Sequence, residues 1–131
     1  MKRNKVKTLQ NKCEKLWKEA CFKRDGRMCQ VKHSYPEVPL MHTNTIQVDH
    51  CFPRTCKQLK YDPSNGTPIC SGCNHPHNKR ARILIHKIVK QREGFEKYAQ
   101  MEQEYLSKRP FPEYSKIWWL EDKLNENRNI F

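Results

Sequence analysis

Asp49 and His50 are adjacent, and two asparagines follow at set distances, Asn65 fifteen residues after His50 and Asn74 nine residues after that. Imidazole is the side chain whose ordinary pKa suits a general base near neutral pH. Asp49 offers a hard oxygen ligand for Mg²⁺ or Mn²⁺, and Asn74 can supply a second oxygen. Asn65 can hydrogen-bond the backbone across a loop and so fix the histidine ring. These groups fit hydrolysis of a phosphodiester, which needs a base for water and a cation at the developing charge.

A metal site of a second kind is indicated by Cys70-x-x-Cys73, which directly precedes Asn74. Structural zinc takes four thiolate or imidazole ligands, typically as two short pairs from distant parts of the chain. Cys29 and His33 are the favoured partner pair, because an imidazole reaches one residue further than a thiolate. We therefore expect a structural Zn²⁺ on Cys29, His33, Cys70 and Cys73.

The other cysteines suggest a rival pair and two core residues. Cys51 and Cys56 could complete the zinc site, but their spacing is wide and Cys51 directly follows His50. Cys13 and Cys21 lie on the apolar stripe of a predicted helix, where a thiol behaves as a small hydrophobe. The chain has seven cysteines and no apolar signal segment, which favours the cytoplasm and metal binding over disulfides.

Positive charge is concentrated in the first two thirds of the chain. The formal net charge is +12, with 11 Lys and Arg against 3 acids in residues 1–35, 9 against 3 in 36–92, and 6 against 8 in 93–131. A basic region around the reactive residues favours a polyanionic partner, DNA first. No apolar run is long enough to span a membrane. The side chains expected to contact phosphate are Lys79, Arg80 and Arg82.

Hydrophobic periodicity predicts the elements that carry these residues. A short strand over Thr43–His50 ends at the Asp-His pair, and a second strand lies near Lys57–Tyr61 or Thr67–Ile69.

His42 and His86 are assigned no role, and Trp118 and Trp119 are expected in core or dimer packing. The C-terminal helices should pack on the first helix or on the second subunit of a homodimer. Helices are predicted over 8–24, from Ser71–Asn74 through Lys90, over Phe95–Ser107, and over about Glu113–Asn125.

The sequence V-D-H, followed by Asn65 and by C-S-G-C-N, resembles the HNH or ββα-metal nucleases in the variant whose third letter is Asn. The resemblance implies an α+β fold with a small zinc-stapled ββα-metal core, and metal-dependent cleavage of DNA. It implies His50 as general base, Asp49 and Asn74 as ligands of the catalytic Mg²⁺ or Mn²⁺, Asn65 as the residue that orients the loop, and Asn78, or less aptly His77, as a further ligand.

A narrower similarity covers most of the chain. The segments L-W-K-E-A-C-F-K-R-D-G-R-M-C, L-K-Y-D-P-S-N and C-S-G-C-N are similar to the phage NinG/Rap recombination nucleases, which implies branched DNA as substrate and a host-cell cytoplasm. That family usually has Gly where this chain has Asp49, and a C-x-x-C where it has Cys29 and His33. The implied organisation is one domain over 1–131, with a basic helix (1–26), the zinc-bound core (27–92) and a helical extension (93–131).

Two other functions remain open from the sequence. One is a phage packaging or homing-type HNH nicking enzyme. The other is a zinc-knuckle module that binds DNA without cleaving it, which would be favoured by loss of the Asp-His pair or of both helix asparagines. Neither is lost here.

Overall fold

The fold is taken from a computed structural model, which describes residues 2–75, 78–110 and 116–130. The chain is α+β, with five α-helices and one two-stranded antiparallel sheet in the described part. The predictions for His77 and for the start of the last helix at Glu113 lie outside the described residues. The elements are α1 (Lys2–Asp25), α2 (Gln30–Ser34), β1 (Ile46–His50), β2 (Gly66–Cys70), α3 (Lys79–Glu93), α4 (Phe95–Ser107) and α5 (Ile117–Arg128).

The sheet places both predicted sites on its ends. β1 ends at the Asp49-His50 pair, as predicted, and pairs with β2 in a register that sets His50 opposite Gly66 and Ile46 opposite Cys70. The second strand corresponds to the Thr67–Ile69 alternative, while Lys57–Leu59 forms a short 3-10 turn. β2 is buried along its whole length. The reactive pair and the Cys70 knuckle therefore stand at opposite ends of one short ribbon.

Several helix boundaries differ from those predicted, and the largest differences are at the starts of α1 and α3. α1 begins at Lys2 instead of residue 8, because lysine and arginine are good helix formers even without an apolar stripe. α3 begins at Lys79 instead of Ser71–Asn74. The segment from Ser71 to Asn74 is a turn, and the helix starts only after Asn78, whose side chain accepts from the Ala81 N–H as an N-cap.

The helices pack around the sheet as two groups, each with its own hydrophobic cluster. α5 packs on α1, as predicted, and buries Trp119, Leu120 and Leu124 against Trp17. α4 packs on α3, which the sequence did not predict, and the alternative of packing on a second subunit stays a prediction. Trp118 is exposed. No helix in the described ranges combines the length and apolar character that crossing a membrane needs.

Candidate metal centre and reactive cleft

Three predicted cysteines meet one histidine in a cluster whose ligand atoms all lie within 4.8 Å of one another: Cys29, His42, Cys70 and Cys73. Sγ of Cys29 is 3.8 Å from Sγ of Cys73, and Nδ1 of His42 is 3.5 Å from the sulfur atoms of both Cys70 and Cys73. A tetrahedron of thiolates about 2.3 Å from zinc has edges of about 3.8 Å, and a nitrogen ligand shortens them slightly. The donor set and spacing therefore fit a metal such as zinc.

His42 occupies the position predicted for His33. His33 lies in the last turn of α2 with an exposed side chain and is outside the cluster. The predicted i, i+4 pairing fails because Cys29 is the N-cap of α2, and its sulfur joins the cluster from the opposite end of that helix. Cys51 and Cys56, the rival pair, are also outside the cluster.

The loop that carries His42 is held against the Cys70 knuckle by hydrogen bonds. Thr45 O accepts from Ser71 N–H at 2.9 Å, and Thr43 Oγ1 is 2.6 Å from Ser71 Oγ. A Cβ at Gly72 would collide with the Met41 carbonyl oxygen, so the knuckle needs glycine to let this loop approach. No short sequence spacing reports this contact, since His42 and Cys70 are 28 residues apart.

The thiols of the cluster perturb one another. Burial works to raise the pKa of Cys70, but hydrogen bonds from the Thr43 and Cys73 backbone and from His42 lower it to about 6. Burial and the neighbouring Cys70 and Cys29 raise the pKa of Cys73. Several thiolates so close together are stable only beside a cation. Full ionisation of this cluster would therefore need a bound cation.

An open cleft of about 1080 Å³ runs along β1 and includes the Asp49-His50 end of the sheet. Its lining brings together Asp49, His50 and Asn74 of the predicted site with Arg82 from α3. β1 supplies the first two, the turn after β2 supplies Asn74, and the second turn of α3 supplies Arg82. Residues spread over more than thirty positions of the sequence therefore face one space.

The ring of His50 is fixed by a backbone carbonyl and an indole. Nε2 lies 2.9 Å from the Lys60 carbonyl oxygen, and because a carbonyl only accepts, Nε2 carries the proton. In the neutral ring, Nδ1 is then the basic nitrogen. The indole of Trp17 stacks on the imidazole with centroids 4.1 Å apart. Burial lowers the pKa of His50, and the charges of Lys60 and Arg54 lower it further, against the opposing effects of the Lys60 carbonyl and Asp49. The ring is therefore neutral near pH 7.

Asn65 is fully buried and joins the two sides of the loop that follows His50. Its Oδ1 accepts from Phe52 N–H at 2.7 Å, and its Nδ2 donates to the carbonyl oxygens of Phe52 and Leu59 at 2.9 and 3.3 Å. These are the backbone bonds predicted for it. Because Leu59 immediately precedes Lys60, Asn65 also steadies the carbonyl that holds His50.

Asp49 has a buried oxygen suited to a cation. Oδ2 accepts no hydrogen bond from the described residues, although Nη1 of Arg82 lies 2.6 Å away as an ion pair. The same Nη1 donates to the His50 carbonyl at 3.1 Å. The guanidinium balances the charge of this buried oxygen, and a cation bound here would have to displace it. Arg82, predicted to contact phosphate, here neutralises Asp49.

The two asparagines predicted as ligands differ in their placement. Asn74 lines the cleft, and its Nδ2 donates to Gln47 Oε1 at 2.8 Å, so Oδ1 is its potential ligand atom. Asn78 is instead the cap of α3. Its Oδ1 accepts from Ala81 N–H and its Nδ2 donates to the Gly72 carbonyl. Both ends of the Asn78 amide are engaged, which corrects its prediction as a further ligand.

Two cleft residues carry chemistry that the sequence analysis did not assign. His86 lines the cleft, with Nδ1 3.3 Å from Cys51 Sγ and 2.9 Å from Tyr98 Oη. Glu102, on α4, lines the cleft beside it. In the sequence, both residues are polar positions within predicted helices, and that pattern alone does not indicate a functional site. Lys79 and Arg80 are exposed on the first turn of α3, as phosphate contacts would need to be.

Comparison of the chain with models of known protein families, with curated proteins and with solved structures finds no match.

Proposed function

We propose that this protein is a metal-dependent DNA endonuclease of the HNH type, with a structural zinc in the Cys29, His42, Cys70 and Cys73 cluster. The observation that carries the proposal is the state of His50. Its Nε2 is committed to the Lys60 carbonyl, its ring is neutral, and it lines a cleft with the half-buried carboxylate of Asp49. The order of β1, β2 and α3 along the chain also supports a ββα arrangement.

The proposed chemistry begins at His50. Nδ1 takes a proton from water as the water oxygen attacks phosphorus, the bond from phosphorus to the 3′-oxygen breaks, and the leaving 3′-oxygen takes a proton from solvent. The products are a 5′-phosphate and a 3′-hydroxyl. A Mg²⁺ or Mn²⁺ held by Asp49 and Asn74 would supply charge stabilisation at the phosphate and the leaving oxygen. Asn65 and Trp17 keep the imidazole in one orientation, which removes the entropic cost of aligning the base.

The exposed Lys79 and Arg80, on the helix that borders the cleft, would contact the DNA backbone. Branched DNA is the proposed substrate, on the resemblance of the sequence alone. A non-catalytic zinc-knuckle module is the second candidate. It is favoured by one observation, the ion pair that occupies Asp49 and so blunts its role as a ligand.

The test is cleavage by purified protein. A four-way junction, a linear duplex and a single strand, each end-labelled, are incubated with no added divalent ion, with Mg²⁺ and with Mn²⁺. We expect ion-dependent cleavage, strongest on the junction, with products that a ligase can rejoin because they carry 5′-phosphates. Binding of all three without cleavage in any ion would favour the non-catalytic module.

A further inference from the structure

A second, smaller cavity of about 210 Å³ lies on the α1 side of His50. Trp17, His50 and Arg54 line both this cavity and the main cleft, so the two spaces adjoin at the proposed base. Lys7, from the first half of α1, and Lys60, from the loop after β1, add two further cations to its wall. The smaller cavity is therefore a polar extension of the cleft towards the N-terminal helix.

Two cations of this cavity, Lys7 and Arg54, have no acidic partner among the described residues. Glu14 is the one acid among its lining residues in the described chain, and it forms an ion pair with Lys18 at 3.5 Å. Lys7 and Arg54 are exposed and lie within ion-pair distance of no carboxylate among the described residues. Arg54 and Lys60 are close enough to act electrostatically on His50. An anion in this space would face several cations at short range.

The sequence of α1 presents one face to this cavity. Lys7, Gln10, Asn11 and Glu14 recur at three- and four-residue steps, which places them on one side of the helix with Trp17. Lys5 and Lys12 fall on the opposite side and line neither cavity. The helix thus carries two kinds of lysine, one facing the reactive residues and one facing away.

We propose that the α1-side cavity binds a phosphodiester group of the DNA backbone next to the one that is cleaved, with Lys7 and Arg54 as its contacts. The inference rests on the proposed nuclease function. A strand whose reacting phosphate sits at His50 continues past it, and the adjoining cavity is the place where its next phosphate meets cations. Such contacts set the register of the strand without reading its sequence.

The test measures DNA binding as a function of salt, with no added Mg²⁺ or Mn²⁺ so that the DNA stays intact. The double variant Lys7→Gln with Arg54→Gln is compared with Lys5→Gln with Lys12→Gln, which loses the same charge from the far side of α1. Each phosphate contact contributes about 0.9 to the slope of log affinity against log salt concentration. We expect the cavity pair to lower the magnitude of the slope by about 2, and the control pair to change it by less than about 0.5.

An equal change in both pairs would overturn the proposal, because general charge would then explain the binding. An unchanged slope in the cavity pair would also overturn it. The outcome is separable from that of the nuclease proposal. A slope change confined to the cavity pair, in a protein that does not cleave DNA, would support the phosphate subsite and contradict the nuclease proposal. Cleavage of DNA with no slope change in the cavity pair would support the nuclease proposal and contradict the subsite. All four positions are exposed, so melting temperatures should stay within a few degrees of the wild type.

Discussion

The indole of Trp17 lies face to face with the imidazole of His50, with ring centroids 4.1 Å apart and planes inclined by 12°. Nε1 of the indole donates to the Asp62 carbonyl at 2.9 Å, and a Cβ at Gly66 would come within 2.8 Å of the ring. The hydrogen bond to Asp62 and the close packing at Gly66 therefore fix the position of the indole. Helix α1, which carries none of the residues predicted to do chemistry, sets the plane of the proposed base.

Replacing Trp17 should therefore slow cleavage without weakening DNA binding. Trp17→Leu removes the stacking surface, and we expect the cleavage rate constant to fall about tenfold to a hundredfold because the base loses its alignment. The KM should change little, since only 1% of the Trp17 surface is exposed and the proposed phosphate contacts are other side chains. Single-turnover kinetics at saturating protein separates the two quantities.

Trp17→Phe is the matched control. It keeps an aromatic face beside the imidazole but loses the Nε1 hydrogen bond, so it should retain more of the rate than Trp17→Leu. Both variants lose core packing, on the order of a few kcal/mol, and are assayed well below their melting temperatures. Equal rates in the two variants, or a defect only in KM, would contradict the positioning role.

Zinc content should depend on His42 and not on His33. His42→Ala removes a ligand from the cluster and should lose most of the bound zinc and lower the melting temperature, since a structural zinc contributes directly to folding. His33→Ala removes an exposed imidazole of the same size and should leave both unchanged. Elemental analysis and thermal unfolding check this. If His33→Ala lost zinc and His42→Ala kept it, His33 and not His42 would be the zinc ligand.

The sequence predicts correctly those elements that depend on residues close together in the chain. The alternation of Ile46 and Val48 predicts the strand that ends at Asp49-His50, and the observed strand ends there. α4 spans Phe95–Ser107, as its apolar stripe predicts. Three of the four predicted zinc ligands also meet, because a short thiol pair is a local signal of a metal site.

The parts that the sequence did not predict depend on distant contacts. His42 reaches the cluster through a loop held by Thr43 and Thr45, which no spacing rule encodes. The stack of Trp17 on His50 joins residues 33 positions apart in the sequence. Asn78 was misassigned because an asparagine one turn after Asn74 fits a ligand and a helix cap equally well, and only the structure shows its amide bonded at both ends.

Removing the charge of Arg82 should strengthen divalent-ion binding. The guanidinium lies 2.6 Å from Asp49 Oδ2 and would compete with the proposed divalent ion for that oxygen. We expect Arg82→Gln to bind Mn²⁺ about five to ten times more tightly in the absence of DNA, a gain of roughly 1 kcal/mol for a part-exposed pair. Titration calorimetry on zinc-loaded protein measures it. Arg80→Gln removes one exposed charge from the same helix and is the control, and an equal gain in both would contradict a specific competition.

The acid limb of the pH profile should lie below pH 6.5. Burial and the nearby cations lower the pKa of His50 below its ordinary value of 6.5, so the ring stays neutral and basic to a lower pH. The profile of kcat/KM reports the free enzyme and is the one to measure. Arg54→Gln removes one of the charges that lower this pKa, so the limb should move up in pH, whereas Lys12→Gln should not move it. A midpoint at or above 6.5 in the wild type would contradict the state assigned to His50.

The central claim is that His50 is the base of a nuclease, and His50→Ala tests it most directly. The variant removes the basic nitrogen but keeps Asp49, Asn74 and the zinc cluster, so zinc content and DNA affinity should match the wild type. Loss of general-base help typically costs about a hundredfold to ten-thousandfold in rate. Asn74→Ala, measured beside it, should recover part of its activity as Mn²⁺ is raised, because its defect is in ion affinity.

The decisive measurement is nicking of a labelled duplex and a four-way junction by wild type, His50→Ala and Asn74→Ala across a Mn²⁺ series. We expect cleavage by the wild type, partial recovery of Asn74→Ala at high Mn²⁺, and loss of cleavage in His50→Ala at every Mn²⁺ concentration. Full activity in His50→Ala, or no cleavage by a wild-type protein that binds both DNAs, would contradict it.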